Sequence, residues 1–270
     1  MNLTLRFESS QTRGVVTRSG ALATIRLERD AKLIVFGDIH GDLETLIAGL
    51  ARRKAGDVTL FLGDYADRGP NGVEVIERVN ELLDSEFEYT VAIKGNHEAY
   101  DDEGVPTFRP CTLVDEAIAK RGSWNAFFEM FSRFVTKLQL AAIVPESLLF
   151  VHGGIHTSMN DSAILESPNA TLESELLWSD PSGSNGPSRR GIGHRFDARV
   201  TKGVCDAFGV RGIVRSHEPA KALSGPRVEH GGRIVTTSST TTYGGRAYVL
   251  VVEPSSIKSG YSLVDSAVYL

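Results

Sequence analysis

The sequence predicts an α/β fold in which a sheet fed by βαβ units is covered by helices. Two observations lead there. From Lys32 onward, short β-branched apolar runs alternate with longer segments of helical period, and the runs "KLIVF", "VTLFL" and "TVAI" each lead into a polar cluster bearing glycine. The second half of the chain adds strand-like runs separated by turns with little helix, so that part leans towards antiparallel sheet.

Taken in order, residues 1–30 are interrupted by Glu8, Arg13, Arg18, Arg26, Glu28, Arg29 and Asp30. They lack the core of a signal peptide and read as an N-terminal extension or edge strands. "KLIVF" and "VTLFL" are buried strands. Val73, Ile76, Val79 and Leu83 fall on one helical face, and Glu74, Glu77, Arg78 and Glu81 on the other, which predicts an amphipathic helix over 72–84. "TVAI" follows as a third strand. A second helix is expected over 123–140, N-capped by Ser123, with Phe127, Phe128, Phe131 and Phe134 as its core-facing stripe. "LLFVHGG" is a strand ending in histidine and glycines. Residues 179–191, rich in Ser, Gly and Pro, are a loop. "GIVRSHEP", "RIVTTSST", "RAYVLVVEP" and "YSLVDSAVYL" read as strands. No linker is long enough to divide the chain, so a single domain over 1–270 is expected.

The bulk properties exclude several classes of function. With 29 basic and 34 acidic residues the net charge is −5, which offers no general attraction to duplex nucleic acid or to an anionic membrane. No apolar run approaches the ~20 residues that span a bilayer, and a cytoplasmic protein is expected. Cys111 and Cys205 lie in dissimilar contexts without a CxxC spacing and read as reduced thiols in or near the core.

The chemistry concentrates where apolar strands end. "FGDIHGD" carries Asp38 and His40, "LGDYADRG" carries Asp64, Asp67 and Arg68, and "KGNHE" carries Lys94, Asn96, His97 and Glu98. In α/β sheets ligands bind at the carboxyl ends of strands, so these clusters are expected to converge on one rim. Carboxylate and imidazole together suit a borderline divalent ion such as Mn, Fe or Zn. Asp38, His40, Asp64, Asn96, His152 of "VHGG" and His217 of "RSHEP" supply enough ligands for two of them. Arg68 and Arg190 have the forked donor geometry that grips phosphate. Singly, each has a structural reading: Asp38 as a helix cap, Arg68 as a partner for Asp67, His152 or His217 as satisfied histidines near the core. The conjunction points to a site, whereas His156, His194 and His230 lack such support and read as surface or loop residues, and Trp178 reads as packing.

In their order, "GDIHG", "GDYADRG", "GNHE", "HGG" and "RSH" resemble the signature set of the phosphoprotein phosphatase family of metallophosphoesterases. Further agreement lies in "LQLAAIV", "LLWSDP", "RRGIGHRF" and "TTYGG". The resemblance implies a calcineurin-like sandwich of two mixed β-sheets flanked by helices. It also implies one metal held by Asp38, His40 and Asp64 and a second by Asp64, Asn96, His152 and His217. His97 would be the proton donor, oriented by Asp67; Arg68, Arg190 and Asn96 would bind phosphate; Arg215 and Tyr243 would support the site. Two divalent cations (Mn most readily in vitro, Fe or Zn otherwise) would activate a shared water as hydroxide for direct attack on phosphorus. The implied activity is dephosphorylation of phosphoserine and phosphothreonine proteins. Dinucleoside polyphosphate hydrolysis is the alternative, since "DRGPNG" resembles that branch, and a non-catalytic phosphoprotein-binding module is the third reading. No exposed motif points to a regulatory subunit. Ala66 is smaller than the apolar residue usual at that place and is expected to be tolerated, while "GNHEAYDDEGVPTF" and "SSTTTYGG" depart from the eukaryotic enzymes beside the substrate cleft.

Overall fold

The computed structural model describes residues 15–28 and 30–270; of the span 1–30 read as an N-terminal extension or edge strands, 1–14 and 29 lie outside the described residues, and the remainder contains two strands, Val16–Ser19 and Leu22–Ile25. A five-stranded sheet runs in the order β15 (Ala267–Tyr269), β14 (Tyr248–Val252), β3 (Leu33–Phe36), β4 (Val58–Phe61), β5 (Thr90–Ala92). A seven-stranded sheet runs β1 (Val16–Ser19), β2 (Leu22–Ile25), β6 (Ala141–Val144), β7 (Leu148–Val151), β11 (Gly212–Arg215), β13 (Ile234–Thr236), β12 (Arg227–Glu229). A small third sheet joins β8 (Asp180–Pro181), β10 (His194–Phe196) and β9 (Gly186–Pro187).

The apolar runs form strands because both of their faces are covered. β3, β4 and β5 pair in parallel, and every residue of the three is buried. Val35, Leu60, Val91 and Leu250 on the inner face meet Ala142, Phe150, Val214 and Val235 of the seven-stranded sheet, so the main core lies between the sheets. The outer faces are covered by helices. Helix α1 (Leu43–Leu50) and α2 (Gly72–Ser85) lie over the five-stranded sheet with α3 (Leu113–Arg121) and α4 (Trp124–Thr136). On the seven-stranded sheet lie the short α5 (Ala163–Glu166), then α6 (Ala170–Trp178) and α7 (Ala198–Phe208). The short α8 (Tyr261–Val264) precedes β15.

Local chemistry sets the helix starts. Asp42 Oδ1 accepts from the Thr45 amide at the head of α1, Asn169 and Asp197 cap α6 and α7 in the same manner, and the expected Ser123 cap accepts from Ala126 at 3.4 Å. The aromatic stripe of α4 is core, as read. Phe131 and Phe134 are fully buried, and the Phe134 ring meets Tyr65 edge to face with centroids 5.2 Å apart. Burial of one such ring contributes about 1.5–3 kcal/mol, and here it braces the loop carrying Asp64 and Asp67 from behind.

Four expectations are corrected. The α4 helix ends at Thr136, because 137–140 turn out of it to enter β6. The 179–191 segment contains β8 and β9, which pair with β10. The second half is not poor in helix, since α7 crosses it, and β11 pairs in parallel with both β7 and β13, so that sheet is mixed. "YSLVDSAVYL" begins as the helical turn α8, which buries Leu263, before becoming β15. No helix among the described residues is long and apolar enough to cross a membrane.

Candidate active site

The three clusters expected to converge do so at the carboxyl ends of β3, β4 and β5, and the loops after β7 and β11 bring His152 and His217 to the same place. The rim is built from close backbone approaches. The Asp64 carbonyl accepts from the amides of both Ile39 and His40, which ties the first two clusters together. Glu98, almost fully buried, accepts from the amides of Asp64, Tyr65 and Gly95 at 2.8–3.1 Å and joins the second to the third. His40, Asp64, Asp67, Arg68 and His217 all have positive φ, between 48° and 73°. Non-glycine residues in that region cost of order 1 kcal/mol or more each and gather where a site over-determines the backbone.

Gly95 allows one of these approaches. A Cβ there would stand 2.3 Å from Asp64 Oδ1 and 2.4 Å from the Asp64 amide nitrogen. Gly95→Ala should therefore displace the carboxylate and weaken metal binding by about 10–100-fold, the range seen when groups supporting a ligand are lost. Manganese titration of activity checks this, and an unchanged half-saturating concentration would refute it.

Asp64 lies between two groups of imidazoles. Its Oδ2 is 3.6 Å from His40 Nε2, and its Oδ1 is 3.4 Å from His152 Nε2. Asn96 Oδ1 lies 3.0 Å from His152 Nε2 and 2.7 Å from His217 Nδ1. Donor atoms bound at right angles to an ion ~2.1 Å away stand about 3 Å apart, so this spacing is that of a ligand shell. Ring orientations agree. His40 Nδ1 donates to the Ala66 carbonyl at 2.9 Å and His152 Nδ1 to that of Leu62 at 2.7 Å, leaving each Nε2 for an ion. A further buried atom, Asp38 Oδ2, has no hydrogen-bond partner, as expected of a carboxylate oxygen that faces a cation; His217 Nε2, also unpartnered, points instead towards Asp180, 4.0 Å away. Asp38 Oδ1 accepts from the His217 amide at 2.9 Å. The residues present fit a pair of divalent cations.

The electrostatics are consistent with that fit. Burial, then the neighbouring Asp64, raises the Asp38 pKa. Burial opposes ionisation of Asp64 as well, but His152, His97 and His40 outweigh it and hold that carboxyl below its usual range. Burial lowers His40 and, with His152 and Arg215, lowers His217, which keeps both rings neutral and able to coordinate. His97 behaves differently. Burial alone would lower it, but Asp64 and the hydrogen-bonded Asp67 bring it up to about 8.

His97 Nδ1 is 2.7 Å from Asp67 Oδ2, and the other Asp67 oxygen accepts from the amides of Thr112 and Leu113. Phe108 lies against the His97 ring with centroids 4.5 Å apart. Arg68, Arg190, Asn96, His97 and Tyr243 line a cavity of about 260 Å³ with His40, Asp64 and His217. The Tyr243 hydroxyl is 3.4 Å from His40 Nε2. Arg190 faces this cavity and Arg189 does not line it; Arg190 Nε is 3.2 Å from Asp180. Arg215 is fully buried and reaches the Gly153 carbonyl, Asp180 and Glu218, so it braces the loops of both His152 and His217. Ala66 is buried and places its Cβ where a side chain on Gly72 would stand, so the small residue fits the close start of α2.

Sequence reasoning gave no role to Asp180, although it stands in the quoted "LLWSDP". It pairs with Arg215 and Arg190 and lies 4.0 Å from His217 Nε2. Glu98 was quoted in "GNHE", also without a role. Neither could be assigned from spacing, because each acts through partners distant in the chain.

Residues 31–221 match the calcineurin-like phosphoesterase family. The chain is 31% identical over 246 residues to a serine/threonine-protein phosphatase T of Aspergillus oryzae and 30% identical over 246 residues to the human serine/threonine-protein phosphatase 5. These matches cover 85% and 86% of this chain but 49% and 48% of the relatives, so the chain spans about half the length of the curated relatives it matches. A solved Saccharomyces cerevisiae protein serine/threonine phosphatase superposes with a TM-score of 0.72 at 28% identity, covering 83% of this chain and 73% of that one.

Proposed function

The chain belongs to the calcineurin-like phosphoesterase family, and from that premise we propose that it is a phosphatase domain, dependent on two divalent cations, that removes phosphate from phosphoserine and phosphothreonine in proteins. The observation that carries the reading is the placement of Asp64 between two imidazole groups, at the floor of a cavity that His97 and two arginines share. The similarity to serine/threonine-protein phosphatases over most of the chain supports the substrate class. Asp38, His40 and Asp64 would hold one cation, and Asp64, Asn96, His152 and His217 the other. Manganese is the ion we expect to support activity in vitro, with iron or zinc the alternatives in the cell. The bound cations would supply Lewis acidity, activating water at neutral pH and offsetting charge on the phosphoryl group.

The chain's own residues do the rest. Arg68 and Arg190 orient the phosphoryl oxygens across the cavity and meet the charge that develops on them. Asn96 lies at the same floor, within reach of a bound phosphate oxygen. As water attacks phosphorus in line, the bond to the seryl or threonyl oxygen breaks and that oxygen takes a proton from His97. Asp67 holds the His97 Nδ1–H, so the ring presents its other nitrogen to the leaving oxygen and the imidazolium is stabilised until it donates. His97 then recovers a proton from solvent. Arg215, through Gly153, Asp180 and Glu218, keeps the His152 and His217 loops in register, and Tyr243 closes one side of the cavity. The reading places the protein in the cytoplasm, in keeping with the two free thiols Cys111 and Cys205.

Phosphate release with Mn²⁺, compared between a phosphothreonine peptide and diadenosine tetraphosphate, tests the proposal. A higher kcat/KM is expected for the peptide. Preference for the dinucleotide would transfer the same machinery to nucleotide clearance, and binding without turnover of either would leave a phosphoprotein-binding module in its place.

A further inference from the structure

Outside the cavity, one other set of metal-type side chains converges among the described residues: His156, Glu175 and His194. They come from three separate segments, the loop after β7, helix α6 and the first residue of β10. One ligand atom from each lies within 4.8 Å of the other two. Glu175 is buried, with Oε2 accepting from Ser179 Oγ at 2.5 Å and Oε1 2.5 Å from His194 Nδ1. An ordinary buried carboxylate paired with one histidine would account for those two residues. It does not account for the second imidazole, His156, whose ring centroid is 6.0 Å from that of His194.

We propose that these three residues form a third cation site, separate from the catalytic pair, that takes one Zn²⁺. Two imidazoles and one carboxylate with solvent on the open side are a donor set suited to zinc with water as the fourth ligand, whereas Ca²⁺ and Mg²⁺ prefer oxygen. His194 supplies that open side, its side chain being 52% exposed. The surroundings hold the ligands in place. Ser179 occupies the second Glu175 oxygen. His156 Nδ1 now accepts from the Ser158 amide at 3.2 Å, and zinc at Nε2 would move the ring hydrogen to Nδ1 and exchange that bond for donation to the Ser158 hydroxyl, 3.0 Å away. With zinc on His194 Nδ1, the ring hydrogen that now points at Glu175 would sit on Nε2 instead, so the ring binds as a neutral imidazole. His194 lies four residues beyond Arg190 and His156 four beyond His152. An ion there would pin the segment bearing the phosphate-binding arginine to helix α6.

Equilibrium dialysis of the full chain against Zn²⁺, followed by metal analysis, tests the site. The His156→Ala/His194→Ala double variant should bind one equivalent less than wild type, whereas Asp64→Asn, which damages the catalytic centre, should keep that equivalent. Equal zinc in wild type and the double variant would overturn the proposal. Should the double variant fold poorly, as judged by its melting temperature, His156→Asn decides the question alone. It alters a loop residue whose side chain bonds only to Ser158, so retention of the full zinc complement by that variant would be equally fatal.

Discussion

Replacing His97 with Asn should lower kcat for a phosphothreonine peptide by about 10²–10⁴-fold while leaving the metal content of the purified protein unchanged. The ring is the only part of the residue that reaches the cavity as an acid, and it is held by a single side-chain bond to Asp67 at 2.7 Å. Its main chain does a different job: the His97 amide donates to Asp64 Oδ1 at 3.0 Å, and Asn preserves that bond. Metal analysis beside the kinetics makes the test discriminating, because His97 also lies within ligand distance of His40 and Asp64. If metal and turnover fell together, His97 would be a ligand and the assignment of the acid would be lost. Asp67→Asn should show a weaker form of the same phenotype, since Asn can no longer stabilise a protonated ring but can still accept from the Thr112 and Leu113 amides.

Removing the cations should abolish turnover and also loosen the fold. Exhaustive chelation is expected to reduce phosphate release by at least about 10³-fold, because the surrounding donors cannot activate water at neutral pH without Lewis acidity; readdition of Mn²⁺ should restore it. The structural effect follows from burial. Asp38, Asp64, Asp67 and Glu98 are all nearly inaccessible to solvent, and Asp38 Oδ2 lacks a partner. An ion that binds only the folded chain stabilises it by about 2.7 kcal/mol at a hundred times its Kd. For a chain of this size each kcal/mol moves Tm by about 2–4 °C, so Mn²⁺ should raise Tm by several degrees. Asp64→Asn should lose most of both effects, since this carboxylate faces both imidazole groups. A Tm insensitive to chelator and to metal would refute occupation of this centre.

Much of this was legible because the informative signals are local. A buried parallel strand must be a short apolar run, and a rim site must begin where that run stops, so "KLIVF", "VTLFL" and "TVAI" located both β3–β5 and the first three clusters. The missed helix α7 and the unexpected parallel pairing of β11 are one error, whereas the antiparallel lean holds for β12 with β13 and for β14 with β15 and β3. Val200, Thr201 and Val204 are β-branched and Gly203 interrupts the run, so α7 has weak helical propensity and is held by a capping aspartate and by packing on the sheet. Without that crossover the strands on either side looked as if they turned back on themselves, whereas β7 and β11 are parallel neighbours.

From its residues alone the chain determined the order and chemistry of its motifs, since strand ends, glycine turns and ligand types follow from local sterics and donor chemistry. Only the tertiary structure decided which of them meet. It set His152 and His217 of one sheet against Asp64 of the other, fastened Asp64 to Glu98, made Asp180 the common partner of Arg190 and Arg215, and gathered His156 and His194, unremarkable in the sequence, around Glu175. Those meetings depend on how two sheets pack and on which strands neighbour one another, a consequence of burying the whole core at once that no short segment carries.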